Sequence, residues 1–115
     1  MNVEELKSVG IDGSRNGKLI IDVFTTWCGP CKFIAPILHK LRDEGLIKLI
    51  QVDLDKNRPL GEMFGITAIP TLLFFKDGKL IESNIEIQGN EYSYYRIFLT
   101  QGQQAQLKTP GRPVL

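Results

Sequence analysis

The sequence predicts an α/β fold in which a βαβ unit is followed by a ββα unit, with a central mixed sheet flanked by helices. Two apolar runs, residues 18–25 and 46–54, are predicted to be strands on either side of a helix. Residues 71–76 and 79–87 are predicted to pair as a hairpin, because an Asp-Gly turn signal separates them. A chain of 115 residues is long enough for one hydrophobic core and too short for two, so we expect one domain.

The first elements are a short helix and a strand. Residues 3–9 are predicted to form the helix, with Val3, Leu6 and Val9 on one face. The strand at residues 18–25 is apolar on both faces, as expected for a central strand covered by helices. The acid within this strand, Asp22, is therefore unusual.

A long helix is predicted over residues 30–44. Pro30 suits its first turn, where the missing N–H would have no helical partner, and Gly45 is expected to end it. Pro36 lies inside the helix and predicts a kink there. Several apolar side chains recur at helical spacing and are expected to face the sheet: Phe33, Ile34, Ile37, Leu38 and Leu41.

The second half of the chain is predicted to contain two further helices. A short one covers residues 59–64, and a final one covers about residues 90–100. The inward side chains of the final helix are expected to be Tyr95, Phe98 and Leu99. Residues 101–115 lack periodicity and are predicted to be a flexible tail, so the domain itself is residues 1–100.

Composition and charge argue against several classes of protein. The formal net charge is +1 and the basic residues are scattered, so we expect neither nucleic acid nor an anionic membrane as a partner. The longest apolar run is far shorter than the roughly 20 residues that span a bilayer. The N-terminus lacks the basic and apolar regions of a signal peptide, so we expect a cytoplasmic protein. In a reducing compartment, two cysteines favour catalysis or metal binding over a structural disulfide.

Both cysteines lie in the stretch Trp-Cys-Gly-Pro-Cys-Lys, residues 27–32, where the first strand leads into the long helix. Thiols separated by two residues can close into a small ring, or open to a dithiol, with little backbone motion. Cys28 precedes the helix N-terminus, where free N–H groups and the helix dipole stabilise a thiolate. Cys31 lies one turn further and is expected to be more buried. The pattern predicts Cys28 as the exposed nucleophile and Cys31 as the resolving thiol of a disulfide reductase.

Asp22 is the second residue that indicates chemistry. An acid in a strand that is apolar on both sides is costly to bury without a partner. Desolvation is expected to raise its pKa, which makes Asp22 a candidate proton acceptor for Cys31. The alternative is a strand-end acid that reaches water.

Metal binding is the other common use of two cysteines. Zinc needs about four ligands, and His39 is the only further soft candidate in the sequence. His39 follows Cys31 by two helical turns and is expected to face solvent. We therefore predict no metal, and no cofactor other than the redox-active pair Cys28–Cys31.

Lys32, which follows Cys31, has two possible interpretations. It either strengthens the positive field near Cys28 or is an ordinary solvated residue.

Five features in order resemble the thioredoxin family over residues 18–78. They are the Trp-Cys-Gly-Pro-Cys-Lys stretch, Asp22 six residues before Cys28, Pro36 in the following helix, Gln51-Val52-Asp53-Leu54-Asp55, and Gly65-Ile66-Thr67-Ala68-Ile69-Pro70-Thr71. The resemblance implies a thioredoxin-like fold and reduction of protein disulfides by dithiol–disulfide exchange. It implies disulfide-containing protein substrates and a thioredoxin reductase as partners, and we expect a monomer.

The resemblance also implies a substrate-binding groove. The Ile69–Pro70 peptide bond would be cis and packed against the cysteines, although X–Pro bonds in general favour trans. An extended substrate segment would pair with the backbone before this proline. The shallow apolar groove would be lined by Trp27, Gly29, Pro30 and Ile69. The Gly-Pro pair between the cysteines resembles the pair found in the reducing members of the superfamily. Oxidases and isomerases usually carry a His between their cysteines.

Three positions depart from the family pattern. Gln51 stands where the family usually has a Lys near the buried acid, so the usual ion pair with Asp22 is missing. The family's groove glycine falls on Glu86 if no gap is allowed, or on Gly89 if the hairpin is longer. The first edge strand is expected to be absent or reduced to a few residues around Ile11.

The function that the sequence favours is a thiol–disulfide oxidoreductase that reduces protein disulfides. One alternative is an oxidase or isomerase, which the redox potential of the cysteine pair would distinguish. The other is a thioredoxin-fold binding module whose redox activity is incidental, and which would remain active after both cysteines were changed to serine.

Overall fold

The structure, a computed structural model, describes residues 1–13, 16–84 and 96–98. Its strands are β1 (Lys18–Phe24), β2 (Lys48–Asp53), β3 (Thr71–Lys76) and β4 (Lys79–Asn84). They form one mixed sheet in the order β2-β1-β3-β4. β1 is parallel to β2 and antiparallel to β3, and β3 is antiparallel to β4. The predicted α/β class, with its βαβ unit and following hairpin, is confirmed.

In the part of the chain that the structure describes, three α-helices and three short 3₁₀ turns accompany the sheet. The helices are α1 (Val3–Leu6), α2 (Gly29–Asp43) and α3 (Arg58–Phe64), and the 3₁₀ turns are Lys7–Val9, Leu54–Lys56 and Arg96–Phe98. α2 runs through Pro36 as one helix, and the kink at this residue stays a prediction. None of the helices within the described residues is both long enough and apolar enough to span a membrane.

α2 ends at a glycine for a local reason. Gly45 has a φ of 76°, a left-handed conformation that glycine adopts without steric cost. Its N–H donates to the carbonyl of Arg42 at 2.9 Å, and the N–H of Leu46 donates to the carbonyl of Leu41 at 3.1 Å. These two bonds satisfy carbonyls that the helix end would otherwise leave unpaired.

β1 is buried on both faces, as predicted, because the sheet separates two parts of the core. One part contains the alternate β1 residues Leu19, Ile21 and Val23. The other contains Ile20 together with Leu38 and Leu41 of α2. Since successive side chains on a strand point to opposite faces, Asp22 shares the face of Ile20. This alternation directs the acid toward the layer that contains α2.

Two details of the predicted βαβ unit are wrong. Phe33 does not face the sheet; it is 82% exposed. At 3.6 residues per turn, it lies roughly 100° around the helix from the stripe formed by Ile34, Leu38 and Leu41. β2 is also shorter than residues 46–54, because Leu46 and Ile47 precede it and Leu54 begins a 3₁₀ turn.

The hairpin and the N-terminus meet at the β3–β4 turn. Asp77 and Gly78 both have positive φ values, 49° and 88°, as a tight hairpin turn requires. The N–H of Val3 donates to the carbonyl of Gly78, and Asn2 forms an isolated bridge with Lys79. No strand precedes β1 in residues 1–13 and 16–17, which agrees with the expected loss of the first edge strand.

Phe98 closes the core on the side of α2. It is 1% exposed, its ring centroid lies 5.6 Å from that of Phe74, and its carbonyl accepts a 2.9 Å hydrogen bond from Lys76 Nζ. Its predicted inward position is confirmed. Other predictions for this end of the chain lie outside the described residues: the strand beyond residue 84, most of the helix over 90–100, Tyr95, Leu99, the choice between Glu86 and Gly89, and the tail.

Candidate active site

Cys28 is the N-cap of α2. Its backbone is extended, with φ −88° and ψ 110°, and its Sγ accepts a hydrogen bond from the N–H of Cys31 at 3.2 Å. Pro30 occupies the first turn, where a residue without an N–H loses no helical bond. The sulfur of Cys28 therefore lies at the positive end of a 15-residue helix.

Cys28 and Cys31 are joined in a disulfide, with their Cα atoms 5.4 Å apart. Both residues are buried, at 5% and 4% exposure. The expectation that Cys28 is exposed and Cys31 more buried does not hold in this oxidised state. The cap turn brings the sulfur of Cys28 against the N–H of Cys31, and both residues of the closed ring are buried to a similar extent.

Asp22 is 1% exposed, so it is not a strand-end acid that reaches water. Its Oδ2 accepts a 3.2 Å hydrogen bond from Nε2 of Gln51, the residue opposite it on β2. Its Oδ1 is buried without a hydrogen-bond partner among the described residues. Burial raises the pKa of Asp22, while the Gln51 hydrogen bond and the charge of His39 act to lower it.

A cavity of about 300 Å³ connects the acid to one of the two cysteines. It is lined by Asp22, Phe24, Thr25, Thr26, Cys31, Lys32, Ala35 and Gln51. Cys28 is not among these lining residues. Thr25 Oγ1, like Asp22 Oδ1, is buried there without a partner in the described part of the chain. Cys31 therefore faces the cavity and Cys28 does not, although the two residues are buried to a similar extent.

Three of the predicted groove residues lie on the surface around the cysteine pair. Trp27, Gly29 and Pro30 are exposed, and Trp27 Nε1 donates a 2.9 Å hydrogen bond to Asp55 Oδ2. A Cβ added to Gly29 would meet no atom within 4 Å, so the surface beside it is open.

The remaining groove residues precede β3. The Ile69–Pro70 peptide bond is cis, as the resemblance implies; Ile69 is half-buried and Pro70 buried. Thr71, the next residue, lies opposite Val23 near the end of β1. Pro70 therefore lies at the same end of the sheet as the loop that leads to the cysteines.

Sequence reasoning missed the contacts of two residues in this region. His39 was expected to face solvent, but it is half-buried and its Nε2 lies 3.1 Å from Oε1 of Gln51. Asp55 was not connected with Trp27. Gln51 lies in β2, the strand next to β1, and Asp55 follows that strand. Their positions indicate that both residues lie near β1 but do not identify the side chains that they contact.

No three His, Cys, Asp or Glu residues within the described ranges form a group that could hold a metal ion. The chemistry that the arrangement supports is thiol–disulfide exchange, because a disulfide at a helix N-terminus is joined through a cavity to a buried acid.

Comparison with known proteins agrees with this chemistry. The family model for thioredoxin matches residues 8–94. A thioredoxin of Chlamydia muridarum is 36% identical over 81 residues, which cover 70% of this chain and 79% of that protein. A thioredoxin of Bacillus subtilis is 38% identical over 80 residues, covering 68% and 77% respectively.

Solved structures are similar as well. A mutant thioredoxin from Halobacterium salinarum superposes with a TM-score of 0.68 at 28% identity, covering 83% of this chain and 80% of that one. The fold and the cysteine pair define a thiol–disulfide oxidoreductase with protein-disulfide reductase activity. Within that class, the chain belongs to the thioredoxin family.

Proposed function

We propose that the two cysteines divide the reaction between them, with Cys28 as the nucleophile and Cys31 as the resolving thiol. In the reduced protein, the thiolate of Cys28 attacks one sulfur of a substrate disulfide. A bond forms between Cys28 and the substrate, and the other substrate sulfur leaves as a thiolate. The position of Cys28 at the N-cap of α2 supports this role, because the N–H of Cys31 and the helix dipole favour a thiolate.

In the second step, Cys31 gives its proton to Asp22 and attacks the sulfur of Cys28. The Cys28–Cys31 disulfide forms, and the remaining substrate sulfur leaves as a thiolate, so the substrate gains two electrons in total. The observation that carries this assignment is the cavity shared by Asp22 and Cys31. A carboxylate with a raised pKa is a better proton acceptor than an ordinary surface acid.

The oxidised pair must then be reduced by a second protein. We propose that a thioredoxin reductase supplies two electrons and restores both thiols, so the chain serves as an electron carrier in the cytoplasm. It would act as a monomer and need no cofactor besides its redox-active disulfide. The proposed partners are proteins, and neither nucleic acid nor a membrane is among them.

Substrates would dock on the surface around the disulfide. Trp27, Gly29 and Pro30 would contact an extended substrate segment, whose backbone would pair with the segment at Ile69–Pro70. The exposure of Trp27 and the open space beside Gly29 support this proposal. The proposed functional unit is residues 1–100, so removal of residues 101–115 should leave reductase activity unchanged.

Reduction of a disulfide-containing protein, such as insulin, with dithiothreitol as electron source tests the proposed roles. Cys28→Ser should abolish turnover, whereas Cys31→Ser should accumulate a mixed disulfide between Cys28 and the substrate, detectable by mass spectrometry. Asp22→Asn should slow resolution of the mixed disulfide by about 100-fold. Wild-type resolution in Asp22→Asn would remove Asp22 from the mechanism, and a mixed disulfide on Cys31 would reverse the two thiol roles.

A further inference from the structure

A chain of hydrogen-bonding groups leads from the side of α2 to the buried acid. Nε2 of His39 lies 3.1 Å from Oε1 of Gln51, and Nε2 of the same amide donates to Oδ2 of Asp22 at 3.2 Å. His39 is half-buried and Asp22 is fully buried. Gln51 thus bridges a group that solvent can reach and one that it cannot.

The chemistry of the amide fixes the direction of these bonds. An ionised carboxylate only accepts hydrogen bonds, so Asp22 requires the NH₂ end of Gln51. The amide oxygen then faces His39, which has to donate from Nε2. A charged imidazole always donates there, whereas a neutral one does so in only one tautomer. Protonation of His39 therefore favours the same arrangement as ionisation of Asp22.

We propose that His39 and Gln51 are positioning residues, which orient the Asp22 carboxylate and make its affinity for a proton depend on the charge of His39. The inference rests on the proposed role of Asp22 as proton acceptor. The amide transmits orientation and polarity and does not itself carry a proton. The same two contacts act to lower the pKa of Asp22, against the larger effect of burial, which raises it.

A histidine in contact with Gln51 has a consequence that a lysine at the same place would not have. A lysine keeps its charge throughout the neutral range, whereas imidazole ordinarily changes charge between about pH 5 and 8. When His39 is charged, Asp22 holds a proton less tightly; when His39 is neutral, it holds one more tightly. Loss of the charge on His39 should therefore give Cys31 a stronger base during resolution.

α2 and β2, which flank Asp22, carry other titratable groups besides His39. Besides His39, α2 presents Cys31 and Lys32 to the cavity. β2 carries Lys48 and Asp53 at its two ends. On β3, the residue opposite Asp22 is Leu72, which does not titrate. Of these groups, only His39 contacts the amide that binds Asp22.

The decisive measurement is the pKa of Asp22 in the reduced, full-length protein, followed by carboxyl ¹³C NMR. His39→Leu should raise the proton affinity of Asp22 by about two- to fivefold, because the Gln51 amide loses the hydrogen-bond donor that orients it toward the carboxylate. Gln51→Leu should raise it further. When Gln51 is already leucine, His39→Leu should raise the proton affinity of Asp22 by less than it does alone, because the amide that connects the two residues is missing.

The pH profile of mixed-disulfide resolution gives a second readout. His39→Gln keeps a donor for the Gln51 amide but cannot change charge, so the dependence on pH around neutrality should flatten while the fold is retained. Lys40→Gln is the matched control, because it removes an exposed charge from the residue next to His39 on the same helix, and it should keep the wild-type profile.

Strictly additive effects of the two leucine substitutions, or an Asp22 pKa that does not respond to His39→Leu, would overturn the proposal. A wild-type pH profile in His39→Gln would do the same. The NMR titration does not depend on turnover. If Asp22→Asn resolved mixed disulfides at the wild-type rate, the catalytic role of Asp22 would fail while the coupling of His39 to its carboxyl could still be measured.

Discussion

Trp27 Nε1 donates a 2.9 Å hydrogen bond to Asp55 Oδ2, although the two residues are 28 positions apart in the chain. The bond joins the loop before α2 to the 3₁₀ turn that follows β2. Trp27 is 70% exposed, so a large aromatic side chain is held at the surface next to the cysteine pair. A side chain that is already ordered loses less conformational entropy when a partner binds.

Asp55→Ala should therefore weaken substrate binding. Loss of an exposed, charge-assisted hydrogen bond of about 0.5–1.5 kcal/mol predicts a KM that is roughly two- to tenfold higher, with little change in kcat. Steady-state reduction of insulin gives both constants. Because the chain contains one tryptophan, fluorescence anisotropy reports the mobility of Trp27 directly and should fall.

Asp55→Asn is the control, since its amide oxygen still accepts a hydrogen bond from the indole. It should retain most of the wild-type KM and anisotropy. Unchanged values in Asp55→Ala would show that the bond does not order Trp27.

Asp22→Asn should stabilise the protein at neutral pH by roughly 1–3 kcal/mol, because it removes the cost of burying a charged carboxylate with one unpaired oxygen. The sign of the pH dependence follows from the raised pKa of Asp22. Between its ordinary pKa and its raised value, the folded protein binds more protons than the unfolded chain, so stability falls as pH rises through that interval. The advantage of Asn over Asp should accordingly shrink on acidification.

Urea unfolding of the wild type and Asp22→Asn between pH 4 and 8 measures this difference. Asp43→Asn is a suitable comparison, because Asp43 is exposed and pairs with Arg42 at the surface; its effect should stay below about 0.5 kcal/mol. A difference between Asp22→Asn and wild type that is constant with pH would contradict the raised pKa.

Phe98→Ala should cost about 3–5 kcal/mol of unfolding free energy, because it empties a fully buried aromatic position against Phe74. Phe33→Ala removes the same atoms from a side chain that is 82% exposed, and should change stability by less than about 0.5 kcal/mol. Chemical denaturation compares the two variants. Similar losses for both would mean that Phe33 is buried in solution.

Gly45→Ala should cost about 1–2 kcal/mol, since an L-residue would be forced into the left-handed conformation at the end of α2. No atom lies within 4 Å of the added Cβ, so the cost is one of backbone conformation alone. Gly29→Ala, which is equally open but lacks a positive φ, should leave stability nearly unchanged in the same thermal unfolding experiment. Equal effects of the two substitutions would exclude the conformational explanation.

Local pattern was sufficient to predict the elements that build the site. Apolar runs identified β1 and β3, helical spacing and Gly45 identified α2, and the position of Asp22 in an apolar strand predicted its burial. Phe33 shows the limit of spacing alone: a residue near the start of a helix can match the periodicity and still lie beside the buried stripe rather than within it.

The polar contacts around Asp22 could not be predicted in the same way. They depend on the register between β1 and β2, which places Gln51 opposite Asp22, and on how α2 packs over both strands. Neither is encoded in a short window of sequence. The spacing of the two cysteines likewise did not predict that both are buried in the disulfide form.

Asp22 becomes buried only when strands from two distant parts of the chain flank it, with Gln51 on β2 and Leu72 on β3. A ribosome releases the chain from its N-terminus, so both cysteines emerge well before β3 is complete. Until β3 pairs with β1, Asp22 lacks one of the two strands that flank it in the folded protein. A growing chain thus contains both thiols before the strand that completes the surroundings of Asp22 has been made.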